Sequence, residues 1–190
     1  GMGAVKTALS NGEATVNVAI TAGKAVADML TEMKAKTVQA NQAGLDTASK
    51  DALQNDFTSL RDQLTTIVQT AEFNGKNLIT STATSLTVLS TVDGSTISVA
   101  AQKLDTTTLG INASNISSGA SAALVAIDAA INTVTSSLAS MGSSSKRIDV
   151  QSEFTVQLVD ILKEGVGNLV DADLAEESAA LQSLQIKQQL

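Results

Sequence analysis

The sequence predicts a mainly α fold: an elongated bundle of long antiparallel helices with a small β-hairpin lobe. Three observations predict it. Apolar and small residues recur at alternating steps of three and four along three long segments, the seam of helices packed lengthwise. Pro is absent, and since an interior Pro costs a helix about 3 kcal/mol, none of these segments meets that obstacle. Hydrophobic residues make up 43% of the chain but aromatic residues only 2%. A share built largely from Ala and Val suits slender, closely packed helices better than a thick core.

The first helix is expected over about residues 4–43. Val5, Leu9, Gly12, Val16, Ala19, Gly23, Val26, Leu30, Met33 and Thr37 keep one narrow seam throughout. At this length it should be about 60 Å long. Gly12 and Gly23 lie on the seam, where each weakens the isolated helix by up to about 1 kcal/mol. Close backbone approach to a neighbour is the expected return. Gln42 to Thr47 is a connection in which Gly44 suits a helix C-terminus and Asp46, Thr47 or Ser49 an N-terminus.

The second helix, about residues 49–71, carries Leu53, Phe57, Leu60, Leu64, Ile67 and Ala71 as its stripe. The short link makes it an antiparallel neighbour of the first. It stops at Asn74-Gly75, a turn signal because both residues tolerate positive φ.

From about residue 80 to 118 the composition shifts to Ser and Thr with period-two patterning. Two short strands begin at Leu86 and Thr96, joined by a hairpin turn over Val92–Ser95 with Gly94 at positive φ. Lys103 to Ile111 is expected to be extended or looped. A lobe this small must lie against the helices.

The third long helix is expected over about residues 119–162. Leu124, Ile127, Ile131, Val134, Leu138, Met141, Ser145, Ile148, Ser152, Thr155, Val159 and Leu162 hold one phase. Met141-Gly142-Ser143-Ser144-Ser145 would break a helix by composition, but the phase crosses it without a slip, so the helix should continue. Gly165-Val166-Gly167-Asn168 is read as a bend. It divides a body, residues 1–167, from a final helix, residues 168–190, whose Leu174, Leu181 and Leu184 have no evident partner in the chain.

Composition excludes several functions. The chain of 190 residues has no Cys and no His, so thiol nucleophiles, imidazole bases, His or Cys metal centres and disulfides are out of reach. A net charge of −7 disfavours nucleic acid. No apolar run approaches the ~18–20 residues needed to cross a membrane, and no secretory signal opens the chain. Gly1-Met2-Gly3 is an unusual natural start, which suggests a fragment.

Asp171, Asp173, Glu176 and Glu177 form the densest acidic cluster. It lacks the loop Gly and distal Glu of a calcium-binding hand, and reads better as a helix cap in which Glu176 answers Asp173. Asp56 with Asp62, and Asp160 with Glu164, read as solvated faces. Lys146-Arg147 reads as a salt-bridge partner. Asn112-Ala113-Ser114 and Asn115-Ile116-Ser117 fit a glycosylation sequon, a weak signal in a Ser/Thr-rich chain. No catalytic, cofactor-binding or metal-binding residues are expected, no cofactor is implied, and the chain is not read as an enzyme.

Three stretches carry a family resemblance. They are Leu60-Arg61-Asp62-Gln63-Leu64 running into Ala71-Glu72-Phe73-Asn74-Gly75-Lys76-Asn77-Leu78, then Thr107-Thr108-Leu109-Gly110-Ile111, then Asn168 to Ser178. In this order they make nearly the whole chain resemble bacterial flagellin. The resemblance implies a structural subunit that is exported without a cleaved signal peptide and stacks into the extracellular flagellar filament. It implies a homopolymer of such subunits, served by an export chaperone and hook-associated proteins, with no nucleic-acid or membrane partner. In the family the extreme N- and C-terminal helices pack in the filament core. Here the former is expected to be missing and the latter truncated, so that the chain alone is a monomer. Variable outer domains of larger relatives would fall between Ile111 and Gly119. The rival readings are a hook–filament junction protein and a cell-surface adhesin or receptor ligand. Many flagellins also activate Toll-like receptor five through a motif resembling Leu-Gln-Arg-Val-Arg-Glu-Leu-Ala-Val-Gln. The aligned stretch, Leu30 to Gln39, has Glu32 in place of the first Arg and Lys36 in place of an apolar residue, which implies weak or absent activation.

Overall fold

The computed structural model describes residues 1–189. Three helices form the frame: α1 (Met2–Ala40), α2 (Thr47–Thr70) and α4 (Ala120–Gln189), with the four-residue α3 (Thr106–Leu109) between the last two. Two antiparallel strand pairs complete it, β1 (Glu72–Phe73) with β2 (Lys76–Asn77), and β3 (Leu86–Leu89) with β4 (Thr96–Val99). Every position of the expected α1 seam is buried, Gly12 and Gly23 included. On α2 the stripe buries Phe57 and Leu64 and half-buries Leu53, Leu60 and Ile67. Val68, outside the expected stripe, is buried as well.

The α1–α4 packing is antiparallel and its register can be read from three polar contacts. Asn41 Oδ1 accepts a hydrogen bond from Ser121 (3.1 Å), Lys34 pairs with Asp128 (2.8 Å), and Asn17 Oδ1 accepts from Ser145 (3.2 Å). Seven residues back along α1 match seven forward along α4, and a further seventeen match seventeen. On that register Met2 lies opposite Asp160. Burial in α4 ends at the same place, since every described residue from Asp160 onward is exposed.

Polar seam positions are satisfied within their own helices. Thr15 donates to Asn11 O, Thr37 to Met33 O and Thr155 to Gln151 O, at 2.8–2.9 Å. Small hydroxyl residues therefore narrow the seam without leaving a buried group unpaired.

The lobe sits beside the N-terminal half of α1. Asn74 and Gly75 both take positive φ, 52° and 73°, in the two-residue turn between β1 and β2. Gly94 does the same in the β3–β4 loop. Val88 of β3 is packed over Gly12, and the Gln151 amide donates to Ser90 O (2.9 Å), so β3–β4 is held by both α1 and α4. What approaches α1 at its glycines is a side chain, Val88 at Gly12 and Leu138 at Gly23, rather than another backbone.

The helix phase carries α4 through Gly142, as expected. Several expectations need correction. The bend at Gly165–Asn168 is absent, because α4 continues through it. Two glycines cost a helix only about 2 kcal/mol together, and no Pro or capping residue forces a stop. Asp173 consequently caps nothing: the acidic cluster lies inside α4, and all four of its residues are exposed. Lys103 to Ile111 contains the helical turn α3, with Asp105 as its N-cap and Gly110 (φ 75°) as its left-handed C-cap. The C-cap of α1 is Asn41 in a right-handed conformation, and Gly44 (φ 81°) instead turns the link that follows.

Candidate interaction surface

Among the described residues no chemistry-bearing side chains converge. Among the described residues no group of three His, Cys, Asp or Glu could hold a metal ion. Asp56 is drawn off to Lys36 (3.3 Å) while Asp62 stays exposed. Asp160 and Glu164 lie on the exposed part of α4. Lys146 and Arg147, expected to form ion pairs, are exposed and in none among the described residues. Asn115 Oδ1 accepts from the Ser117 hydroxyl (2.7 Å) and from the backbone N–H of Ser117 and Ser118, a turn leading into α4.

What the fold does present is surface. The unopposed part of α4, Asp160 to Gln189, is about 45 Å long. Leu162, Val166, Leu169, Val170, Leu174, Leu181 and Leu184 are each 50–69% exposed. At 100° per residue they fall within an arc of roughly 140°. Lys163, Asp173, Glu177 and Gln188 fall within the same arc and interrupt this largely apolar face. Isolated exposed apolar residues are ordinary, but a face of this extent is one that packs against a further segment or molecule. Upstream, Val150 and Phe154 are also half-exposed on α4.

Length and apolarity alone would let part of α4 cross a membrane: it contains an 18-residue window of mean hydropathy 1.4. Counting unbroken apolar runs misses this, since Ala interspersed with Ser and Thr raises a window average without forming a run. In this fold Ile127, Val134 and Met141 of α4 are buried in the bundle.

Three polar clamps were not legible from the sequence. Arg61 donates to Ile111 O (3.2 Å) and Ser114 O (3.1 Å) while its guanidinium lies 5.6 Å from the Phe57 ring centre. Gln54 Oε1 accepts from Ile116 N (2.6 Å). Asn77 donates to Val68 O (2.8 Å) and accepts from Ile79 N (2.9 Å), closing the exit from α2. Together the first two lay the 111–119 segment along α2, so that it returns to the far end of the bundle where α4 begins. Within Leu30–Gln39, Leu30, Met33 and Thr37 are buried, Lys36 is held by Asp56, and Glu32 is exposed.

Residues 1–84 match the bacterial flagellin N-terminal helical region, and residues 124–190 the bacterial flagellin C-terminal helical region. Flagellin FljM of Caulobacter vibrioides is 47% identical over 192 residues, covering 100% of this chain and 70% of its own length. Flagellin FljK of the same organism is 45% identical over the same shares. Flagellin C of Rhizobium meliloti is 31% identical, covering 98% of this chain and 74% of itself. Among solved structures, Bacillus cereus flagellin superposes with a TM-score of 0.69 at 20% identity, over 76% of this chain and 86% of that one. A putative flagellar hook-associated protein from Vibrio parahaemolyticus gives 0.69 at 15% identity, over 88% and 90%. These two share the fold. The named flagellins, similar along the full chain, do not favour the junction-protein and adhesin readings.

Proposed function

The chain belongs to the bacterial flagellin family, and on that premise we propose how its two parts divide the work of a filament. It is a structural subunit of the flagellar filament, outside the cell; the whole subunit self-assembles with copies of itself, and the 190 residues alone are expected to stay monomeric. In the proposed division, residues 1–167 are the body of the subunit and residues 168–190 begin the helix that packs in the filament core. One observation carries this reading. The part of α4 from Asp160 onward, which the α1–α4 register sets opposite and past Met2, carries an apolar face. Burying such a face in the filament is worth about 25 cal/mol per Å² of apolar area, spread over a surface rather than focused in a pocket. The role is mechanical, and the subunit carries out no reaction of its own.

Leu174→Glu with Leu181→Glu tests it. Both side chains are exposed in these 190 residues, so a purified variant of this chain should melt with its parent. Cells carrying the change should make short filaments or none. Filaments of normal length would overturn the reading.

The remaining partners of the proposal follow the family: an export chaperone, hook-associated proteins at the filament ends, and export without a cleaved leader. Activation of Toll-like receptor five is expected to be weak or absent. Glu32 offers a carboxylate where an Arg fork would meet the receptor, and Lys36 is already paired with Asp56. Nanomolar signalling by this protein in receptor-bearing cells would refute that expectation.

A further inference from the structure

Asn-Gly occurs twice in the chain, at Asn11-Gly12 and Asn74-Gly75. It is the dipeptide most prone to spontaneous deamidation, because no side chain shields the Gly amide nitrogen. That nitrogen loses its proton and attacks the Asn side-chain carbonyl carbon. Ammonia leaves and a succinimide closes. Water then opens the ring at either carbonyl, giving Asp or isoaspartate. Closure requires the Gly nitrogen to eclipse the Asn Cβ about the Cα–C bond, so backbone conformation decides whether the reaction runs.

The fold blocks both pairs, to different depths. Asn74 and Gly75 fill a two-residue hairpin loop with φ of 52° and 73°, the signature of a type I′ turn. Its first residue has ψ of about +30°, which holds the Gly nitrogen nearly opposite Cβ. The block lasts only while the turn does. Asn74 and Gly75 are exposed, and the β1–β2 ladder has two residue pairs, Glu72 with Asn77 and Phe73 with Lys76, with Lys76 and Asn77 also tied by their side chains to Ser85 O and Val68 O at the base, away from the turn. So short a ladder opens locally, well below the cost of global unfolding. Asn11-Gly12 lies inside the 39-residue α1. The Asn11 carbonyl accepts the Thr15 hydroxyl (2.8 Å), and Gly12 is buried under Val88. Freeing that backbone requires α1 to leave the bundle.

We infer that Asn74 is the residue at which the folded chain deamidates, and that the fold shields the like dipeptide at Asn11. Conversion to isoaspartate routes the main chain through the former side chain, adding one methylene to a loop that must be two residues long. It also places a new carboxylate two residues from Glu72. Both effects break the β1–β2 pairing, which gives each subunit a chemical clock in the hairpin that follows α2.

The test is peptide mass spectrometry of the full chain held at mildly alkaline pH and body temperature, folded and in concentrated urea. In urea both Asn-Gly peptides should gain one dalton at comparable rates, with isoaspartate as the larger product. In the folded chain the Asn74 peptide should convert at least about tenfold more slowly than in urea, and the Asn11 peptide at least about tenfold more slowly still. Asn74→Gly keeps a loop that accepts positive φ and should remove the early mass gain from the folded protein. Equal folded-state rates at the two sites, faster conversion at Asn11, or folded Asn74 converting as fast as in urea would each overturn the inference.

Discussion

Gly12→Ala tests the contact that fixes the lobe to the bundle. A methyl group built on Gly12 would lie 2.7 Å from Val88 Cγ2 and 2.9 Å from Cγ1. Carbon atoms prefer about 3.5–4.0 Å, so the overlap is close to 1 Å. Val88 cannot swing away cheaply. It is β-branched and stiff at χ1, it is 3% exposed, and its strand is paired on one side through Ile97. Overpacking of this kind costs about 1–3 kcal/mol, while Ala in place of Gly returns up to about 1 kcal/mol of helix propensity. The net expectation is a loss of about 1 kcal/mol, or roughly 2–4 °C in melting temperature for a chain of this size. Thermal unfolding followed by circular dichroism measures it. In a Val88→Ala background the obstruction is gone and the same Gly12→Ala change should become stabilising, a coupling of about 1–3 kcal/mol. A higher melting temperature for Gly12→Ala alone would refute the reasoning, because it would mean that β3 does not rest on α1 at this distance.

Gly142→Ala is the converse case: nothing lies within 4 Å of the added methyl and the residue sits inside α4, so stability should rise by up to about 1 kcal/mol. A loss would show a turn at Gly142. Arg61→Met keeps an apolar stem against Phe57 but removes the donors to Ile111 O and Ser114 O, and should cost about 1–3 kcal/mol. Amide exchange over residues 111–119 should quicken, and unchanged exchange there would show that the clamp does not hold the segment. At Asp105, burial pushes the carboxyl pKa up, but hydrogen bonds from the Thr108 hydroxyl and backbone N–H outweigh it and hold it below the usual carboxylate range. A lowered folded value means stability that is full above about pH 4 and lost as pH falls through that value. Asp105→Ala should therefore cost about 0.5–1 kcal/mol at neutral pH, with urea midpoints of parent and variant converging in acid. A constant gap across that range would count against the cap.

The long helices were legible because their seams obey a single rule. A side chain at every third or fourth position must be small or apolar wherever another helix lies alongside, and from Val5 to Thr37 each such position is buried. The hairpin turns were legible because positive φ restricts the residue type at Asn74, Gly75 and Gly94. The polar clamps were not, since Arg61 and Ile111 are fifty positions apart and no local pattern links them. Two misreadings share a cause. Gly165 and Gly167 were read as a stop and Asp173 as a new start, yet propensity differences of this size only bias a helix. The run Thr106–Leu109 falls in a stretch expected to be extended or looped, although Asp105 and Gly110 bracket it with cap signals. The interaction face was visible as leucines without partners. Which part of α4 is packed follows from the α1–α4 register, which exists only in three dimensions.

The central claim is that this chain is repeated along a filament outside the cell. The chain has no cysteine, so one introduced thiol reports on it alone. Ala113→Cys, exposed in the 111–119 segment, should be made in the natural gene, and intact cells labelled with a fluorescent maleimide. The account predicts continuous label along the length of each flagellar filament. Label confined to a short band where the filament begins would make the chain a junction protein instead, and unlabelled filaments on cells that produce the variant would contradict the account altogether.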